Sequence, residues 1–186
     1  MKFILLTFLL TPFISFAETK PFKDLEDQVC HPLQVLEGRK ANVLYFTTID
    51  CPIANGYSKR FNDLYIKYSK LGFDFFLVHV DSDTTKGFAN IHREAYNLKT
   101  RILLDTEHDL VKKTEATTTP EVAVILPDGR IAYRGRIDNW YEGFGKKRNV
   151  VTKHELVDAL MAIHQNKDVL IKRTKAVGCS IPDISK

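Results

Sequence analysis

Cys51 is the side chain of this sequence whose setting best suits it to chemistry. It follows an apolar, β-branched stretch, Asn42 to Thr48, that reads as a buried strand, and it stands directly before Pro52. From Ile53 the period changes: Tyr57, Phe61, Leu64, Tyr65, Tyr68 and Leu71 fall at helical spacing. Proline is favoured at the first helical position, where its missing N–H would be unpaired anyway, so Cys51 is predicted as the N-cap. A sulfur at that point faces unpaired backbone N–H groups and the positive end of the helix dipole. Both favour the thiolate, which is the nucleophile. The carboxylate of Asp50 opposes this, so a lowered but not extreme pKa is expected. The bland alternative is a small buried hydrophobe, the usual fate of a lone cysteine.

Two further cysteines, Cys30 and Cys179, accompany it. An odd count leaves at least one thiol free, reactive or paired with another molecule. Cys30-His31 resembles half a metal site, and with Cys51 it suggests copper, which soft sulfur and imidazole suit. His79, between Val78 and Val80, reads as a core histidine. Trp140, Tyr141 and Phe144 are candidates for a substrate rim or for simple cover. Lys146-Lys147-Arg148 reads as a solvated loop.

The elements that must hold Cys51 follow from the pattern. Gly72 sits where the C-terminal cap of the first helix belongs, and Phe73 to Val80 is a second apolar strand. Ser82 and Asp83 can cap a helix presenting Phe88, Ile91 and Ala95 on one face. Arg101 to Leu104 reads as a short strand, and Thr106 to Asp109 as a capping box. Thr119-Pro120 opens a strand to Leu126, where a residue without an N–H belongs. Asp128-Gly129 turns it into the hairpin strand Arg130 to Arg134. A second capping box, Thr152 to Glu155, opens a helix with Leu156, Ala159, Leu160 and Ile163 inward. Alternating strands and helices predict an α/β fold: a central mixed sheet with a parallel βαβ half, closed by a C-terminal hairpin plus helix.

The ends bear on compartment. Lys2, the apolar run Phe3 to Phe16 and the small residues of Ser15-Phe16-Ala17 read as a signal peptide over residues 1–17. The run has about 14 residues against the roughly 20 that a spanning helix needs. The expectation is a chain exported to the periplasm or beyond, with no stable membrane insertion after cleavage. Residues 18–166 would form one domain and residues 167–186 a tail. The net charge of +4, about +3 without Lys2, is mild and dispersed, and gives no reason to expect a nucleic-acid partner.

The run Thr48-Ile49-Asp50-Cys51-Pro52-Ile53-Ala54-Asn55-Gly56-Tyr57, followed later by Thr119-Pro120-Glu121 opening a strand, resembles the thioredoxin superfamily. Together with Asp128-Gly129 and Tyr133-Arg134-Gly135-Arg136-Ile137-Asp138, it is similar to the redoxin branch related to peroxiredoxins and alkyl hydroperoxide reductase. The resemblance spans roughly Val43 to Gln165, and Ala176 to Ile181 looks like part of it. It implies a thioredoxin-like fold with Cys51 as the attacking cysteine. It also implies that Thr48 is the threonine whose hydroxyl touches a peroxide, and that Pro120 is a cis-proline facing the sulfur. Arg136 would be the counterpart of the active-site arginine. Leu44 stands where peroxiredoxins carry proline, and Ala54 where thioredoxins carry a second cysteine. A redox cycle therefore needs a resolving thiol from elsewhere. Cys179 on the tail can supply it, or a Cys30–Cys179 bridge can leave Cys51 alone; sequence does not fix the pairing. The implied partners are a peroxide or disulfide substrate and an external thiol reductant, with no cofactor. The alternatives are copper delivery through Cys51 and a binding module without turnover.

Overall fold

A computed structural model describes residues 20–183. The predicted signal peptide, residues 1–17, lies outside the described residues. The five main strands are β1 (Ala41–Thr47), β2 (Phe73–His79), β3 (Arg101–Leu104), β4 (Glu121–Ile125) and β5 (Ile131–Gly135). They form one sheet in the order β3-β2-β1-β4-β5. β1, β2 and β3 run parallel, and β4 and β5 antiparallel. The helices are α1 (Pro52–Tyr68), α2 (Lys86–Tyr96), α3 (Asp109–Thr114) and α4 (Glu155–His164).

Every residue of β1 is buried, because the sheet is covered on both faces; both sets of alternating side chains are mainly apolar, with Asn42 and Thr47 the buried polar members. Val43 and Tyr45 join a core with Ile53, Tyr57 and Phe61 of α1 and with Leu156 and Leu160 of α4. Leu44 and Phe46 join a second core with Leu110 and Val111 of α3 and with Cys30. Cys51 belongs to the first cluster and Cys30 to the second, so the sheet stands between them.

The mixed sheet, the parallel βαβ half and the closing hairpin plus helix are as the pattern predicts. Gly72 takes a left-handed conformation (φ 94°) and ends the turn Ser69–Leu71 that follows α1. Three local expectations are corrected. Thr85 caps α2 by accepting from the Phe88 N–H, in place of Ser82 or Asp83. The face of α2 that packs inward carries Ala89 and His92, while Phe88 and Ile91 are 58% and 65% exposed. Neither capping box forms: Asp105 accepts from Leu110 and Val111 at the start of α3, and Thr152 bonds Asn139 instead of α4. At α3 the donors are taken by Asp105, just ahead of the motif, and at α4 the Asn139 amide holds Thr152 and Lys153 ahead of the helix.

The C-terminal segment lies against the sheet. Arg134 and Thr174 exchange backbone bonds with their neighbours across it (Arg134 N to Lys172 O 2.9 Å, Thr174 N to Arg134 O 3.0 Å). Farther on, Cys179–Ser180 pairs antiparallel with Thr118–Thr119, and the Ile181 N–H donates to Thr117 O at 2.9 Å. Gly178 permits this approach, since a Cβ there would overlap the Thr119 carbonyl oxygen and stand 2.6 Å from its carbon.

Candidate active site

β1 delivers the loop 48–51 to the C-terminal edge of the sheet, and α1 begins immediately after it. Cys51 is the N-cap in extended backbone (φ −77°, ψ 106°), with Pro52 in the first turn and no acidic residue there. The residue is 1% exposed. Its surroundings are nonetheless polar. Cys51 Sγ lies 3.1 Å from Thr119 O, to which the thiol donates, and the Cys179 thiol donates to Cys51 Sγ at 2.9 Å. No disulfide joins them; all three cysteines are free thiols.

The two sulfurs are polarised in opposite directions. Burial, the largest influence on Cys51, raises its pKa. The Cys179 thiol, the Ala54 N–H and contacts to Thr119 and the Cys179 backbone outweigh it, and the net shift is downward. Burial rather than Asp50 is thus the leading opposing influence. Cys179 is pushed up to about 12 by burial, by its hydrogen bond to Cys51 and by the negative charge of Cys51, with Asp81 adding to it. Cys51 is therefore the more acidic of the pair and gives up its proton first, while Cys179 keeps its own. Burial also pushes Cys30 up to about 11, and its thiol donates weakly to Phe22 O at 3.6 Å.

The remaining predicted residues are distributed unevenly. The Thr119-Pro120 bond is cis, and Thr119 is fully buried beside the sulfur. Thr48 is half-buried, and among the described residues no hydrogen bond links its hydroxyl to Sγ. Arg136 is committed elsewhere: its Nε donates to Glu155 Oε1 at 3.0 Å and its terminal nitrogen to the same oxygen. Glu155 is buried on α4. Arg136, Pro120 and Val177 do border one narrow crevice with Tyr57 and Tyr141. Tyr141 is mostly cover: its hydroxyl lies against Gly56, where a Cβ would collide with it. Trp140 packs edge-on against Tyr57 beneath Arg60 and Lys147, and Phe144 is exposed.

Two groups beside Cys51 carry no sequence motif. Asp81 accepts from the Ile49 N–H at 3.3 Å, and Asn55 Nδ2 donates to Ile49 O at 2.7 Å. His79 is buried, as a core histidine should be, but it lies against a second buried histidine, His92. Among the described residues no cluster of three or more His, Cys, Asp or Glu side chains could hold a metal. Cys30-His31 does not join Cys51.

A family model described as Redoxin matches residues 18–150. Comparison with curated proteins finds no match. Among solved structures, the chain is similar to a hypothetical protein from Sinorhizobium meliloti 1021 (19% identity, 90% of this chain and 92% of that one, TM-score 0.74). It is similar to an uncharacterized conserved protein from Geobacillus kaustophilus (21%, 90% and 90%, TM-score 0.73). A third is a secreted Mycobacterium tuberculosis disulfide oxidoreductase homologous to E. coli DsbE (17%, 77% and 95%, TM-score 0.53). At these identities the likeness establishes a thioredoxin-like fold.

Proposed function

We propose that this chain, which belongs to the Redoxin family, is an exported thiol oxidoreductase that alternates between a Cys51/Cys179 dithiol and a disulfide. The observation that carries the reading is the 2.9 Å contact between two oppositely polarised sulfurs. The reaction is thiol–disulfide exchange. Cys51 thiolate attacks a substrate disulfide, one substrate sulfur leaves as thiolate, and a mixed disulfide forms at Cys51. Cys179 passes its proton to the departing thiolate, attacks Cys51 and releases the second substrate sulfur as a thiolate. An external dithiol then reduces the Cys51–Cys179 bond and is itself oxidised to a disulfide. A thiolate of lowered pKa is also the better leaving group in that last step.

The burial of Cys51 favours a second substrate for the same couple, a small hydroperoxide. Thiolate attack there yields a sulfenic acid and an alcohol or water, and condensation with Cys179 releases water. Disulfide exchange ranks first because Arg136 is bonded to Glu155 and Thr48 makes no bond to the sulfur, so the groups expected to grip a peroxide are not gathered at Cys51. Export rests on residues 1–17; among the described residues no helix is long and apolar enough to cross a membrane.

The test is peptide mapping of the mature protein under non-reducing conditions, before and after oxidised glutathione or hydrogen peroxide. A Cys51–Cys179 peptide that appears on oxidation and vanishes with a dithiol supports the couple. A Cys30–Cys179 pair, or a Cys51 inert to both oxidants, refutes it. Retention of Cu(I) by the reduced protein, lost in Cys51→Ser, would favour the copper reading.

A further inference from the structure

Asn55 holds the chain on both sides of Cys51. Its backbone N–H donates to Cys51 O at 2.9 Å, closing the first turn of α1, and its Nδ2 donates to Ile49 O at 2.7 Å. A carbonyl oxygen only accepts, so the amide orientation is fixed: Nδ2 faces Ile49 and Oδ1 faces away. Oδ1 lies 2.8 Å from His92 Nε2, which must therefore carry a hydrogen. His92 is 3.3 Å from His79 through Nδ1 to Nε2.

The protonation pattern then propagates by necessity. Burial pushes His79 down to about 3 and lowers His92 as well, against a small opposing influence of Asp50, so both rings are neutral. A neutral His92 with hydrogen on Nε2 has a lone pair on Nδ1. His79 Nε2 must donate to it, which leaves a lone pair on His79 Nδ1. That atom is buried and has no partner among the described residues. An orphaned acceptor is the less costly way to end such a chain, since an orphaned N–H is the rarer defect in proteins. The groups facing the pair are Asn55 from α1, the Tyr96 ring from α2 at 4.9 Å from His92, and the charge of Asp50 from the loop.

We propose that Asn55 is a positioning residue for the Cys51 loop, and that the buried His92–His79 pair fixes the orientation of its amide. With His92 donating to Oδ1, the amide cannot turn over, and Nδ2 stays on Ile49 O. Asp81 holds the N–H of the same residue, so Ile49 is held through both its N–H and its carbonyl. The sulfur is thereby kept against the Ala54 N–H that favours its anion. The inference rests on Cys51 being the reacting thiol, but not on which oxidant it meets.

Two measurements test it. Nitrogen-15 NMR of labelled protein should show both His79 and His92 as Nε2–H tautomers; an Nδ1–H form of either overturns the chain. Peptide-resolved iodoacetamide labelling across pH should then place the apparent pKa of Cys51 higher in Asn55→Ala and in His92→Phe, with labelling at pH 7 slowed about three- to tenfold, since one pKa unit is tenfold in thiolate. The double variant should be no slower than the worse single one. His92→Gln, which keeps a donor, should recover most of the rate. An unchanged Cys51 profile in both single variants, or effects that add, overturns the proposal whatever happens to folding stability. A Cys51→Ser protein that kept full oxidoreductase activity would sink the functional reading while leaving these two measurements valid.

Discussion

Substituting Gly178 by alanine should uncouple the two sulfurs while leaving the sheet intact. Residue 178 lies where the C-terminal segment crosses the Thr119-Pro120 backbone. An added methyl would overlap the Thr119 carbonyl oxygen and reach 3.0 Å from Pro120 Cδ. Two of the three crowded atoms are backbone, so relief must come from the segment itself, which makes only a two-residue pairing here. Overpacking of this kind costs about 1–3 kcal/mol. If that falls on docking of the segment, the fraction docked and the effective concentration of Cys179 at Cys51 drop by about five- to 150-fold. Equilibration with glutathione buffers, read by mass of the Cys51–Cys179 peptide, reports that concentration directly. Global stability measured on the reduced protein should change far less, because β1 to β5 and α1 are untouched. Losing the Cys179 donor should also move the Cys51 pKa upward. A variant that closes its disulfide at the same glutathione ratio as the parent would refute the claim that strand pairing brings Cys179 to Cys51.

Other expectations concern single groups. Cys179→Ala removes a donor to the Cys51 anion, so thiolate absorbance should titrate at higher pH than in the parent; a shift downward would contradict the assigned polarity. His79 has its pKa lowered from 6.5 to about 3 in the folded state. The unfolded chain therefore takes up the proton first, and stability should fall as pH drops from about 6.5 toward 3, by a few kcal/mol, with His92 acting in the same direction. Urea unfolding midpoints across that range test this, and His79→Leu should flatten the dependence. Ile91→Ala on the outer face of α2 should alter stability by no more than about 0.5 kcal/mol, as for an ordinary surface position. A loss of 2 kcal/mol, as from a core isoleucine, would mean that this face packs on something.

The fold was legible where local pattern and tertiary environment agree. β1 and β2 are mainly apolar on both faces and read as covered strands, and Pro52 marks the start of α1 without help from elsewhere. The pattern misled on α2. Phe88, Ile91 and Ala95 make a convincing stripe, yet the face that meets α1 needs small or polar groups: Ala89 fits closely, and His92 has Asn55 and His79 to satisfy it. The capping boxes failed because Asp105, one place ahead of Thr106, takes the donors at the start of α3, and Asn139, 13 positions from Thr152, binds that residue instead. At the site, Cys51 could be read from a strand, a proline and a helix in succession. Arg136 could not, since its partner Glu155 comes from another element and nothing in the spacing reveals the pair. Asn55 was visible only as a letter four places after the cysteine, and its meaning depends on a histidine brought in by α2.

Cys51 and Cys179 are separated by 128 positions along the chain. A covalent link between them would tie nearly the whole sheet into one ring. Loop-closure entropy for a ring of that size confers roughly 5 kcal/mol on the native state, in the chain-entropy view. Oxidation should therefore make the molecule much harder to denature, and heat or protease should discriminate sharply between its two redox forms. The converse holds during biogenesis. Until every strand has found its place, these sulfurs are no nearer than any two distant points on a coil, so a half-folded chain has no redox couple to offer.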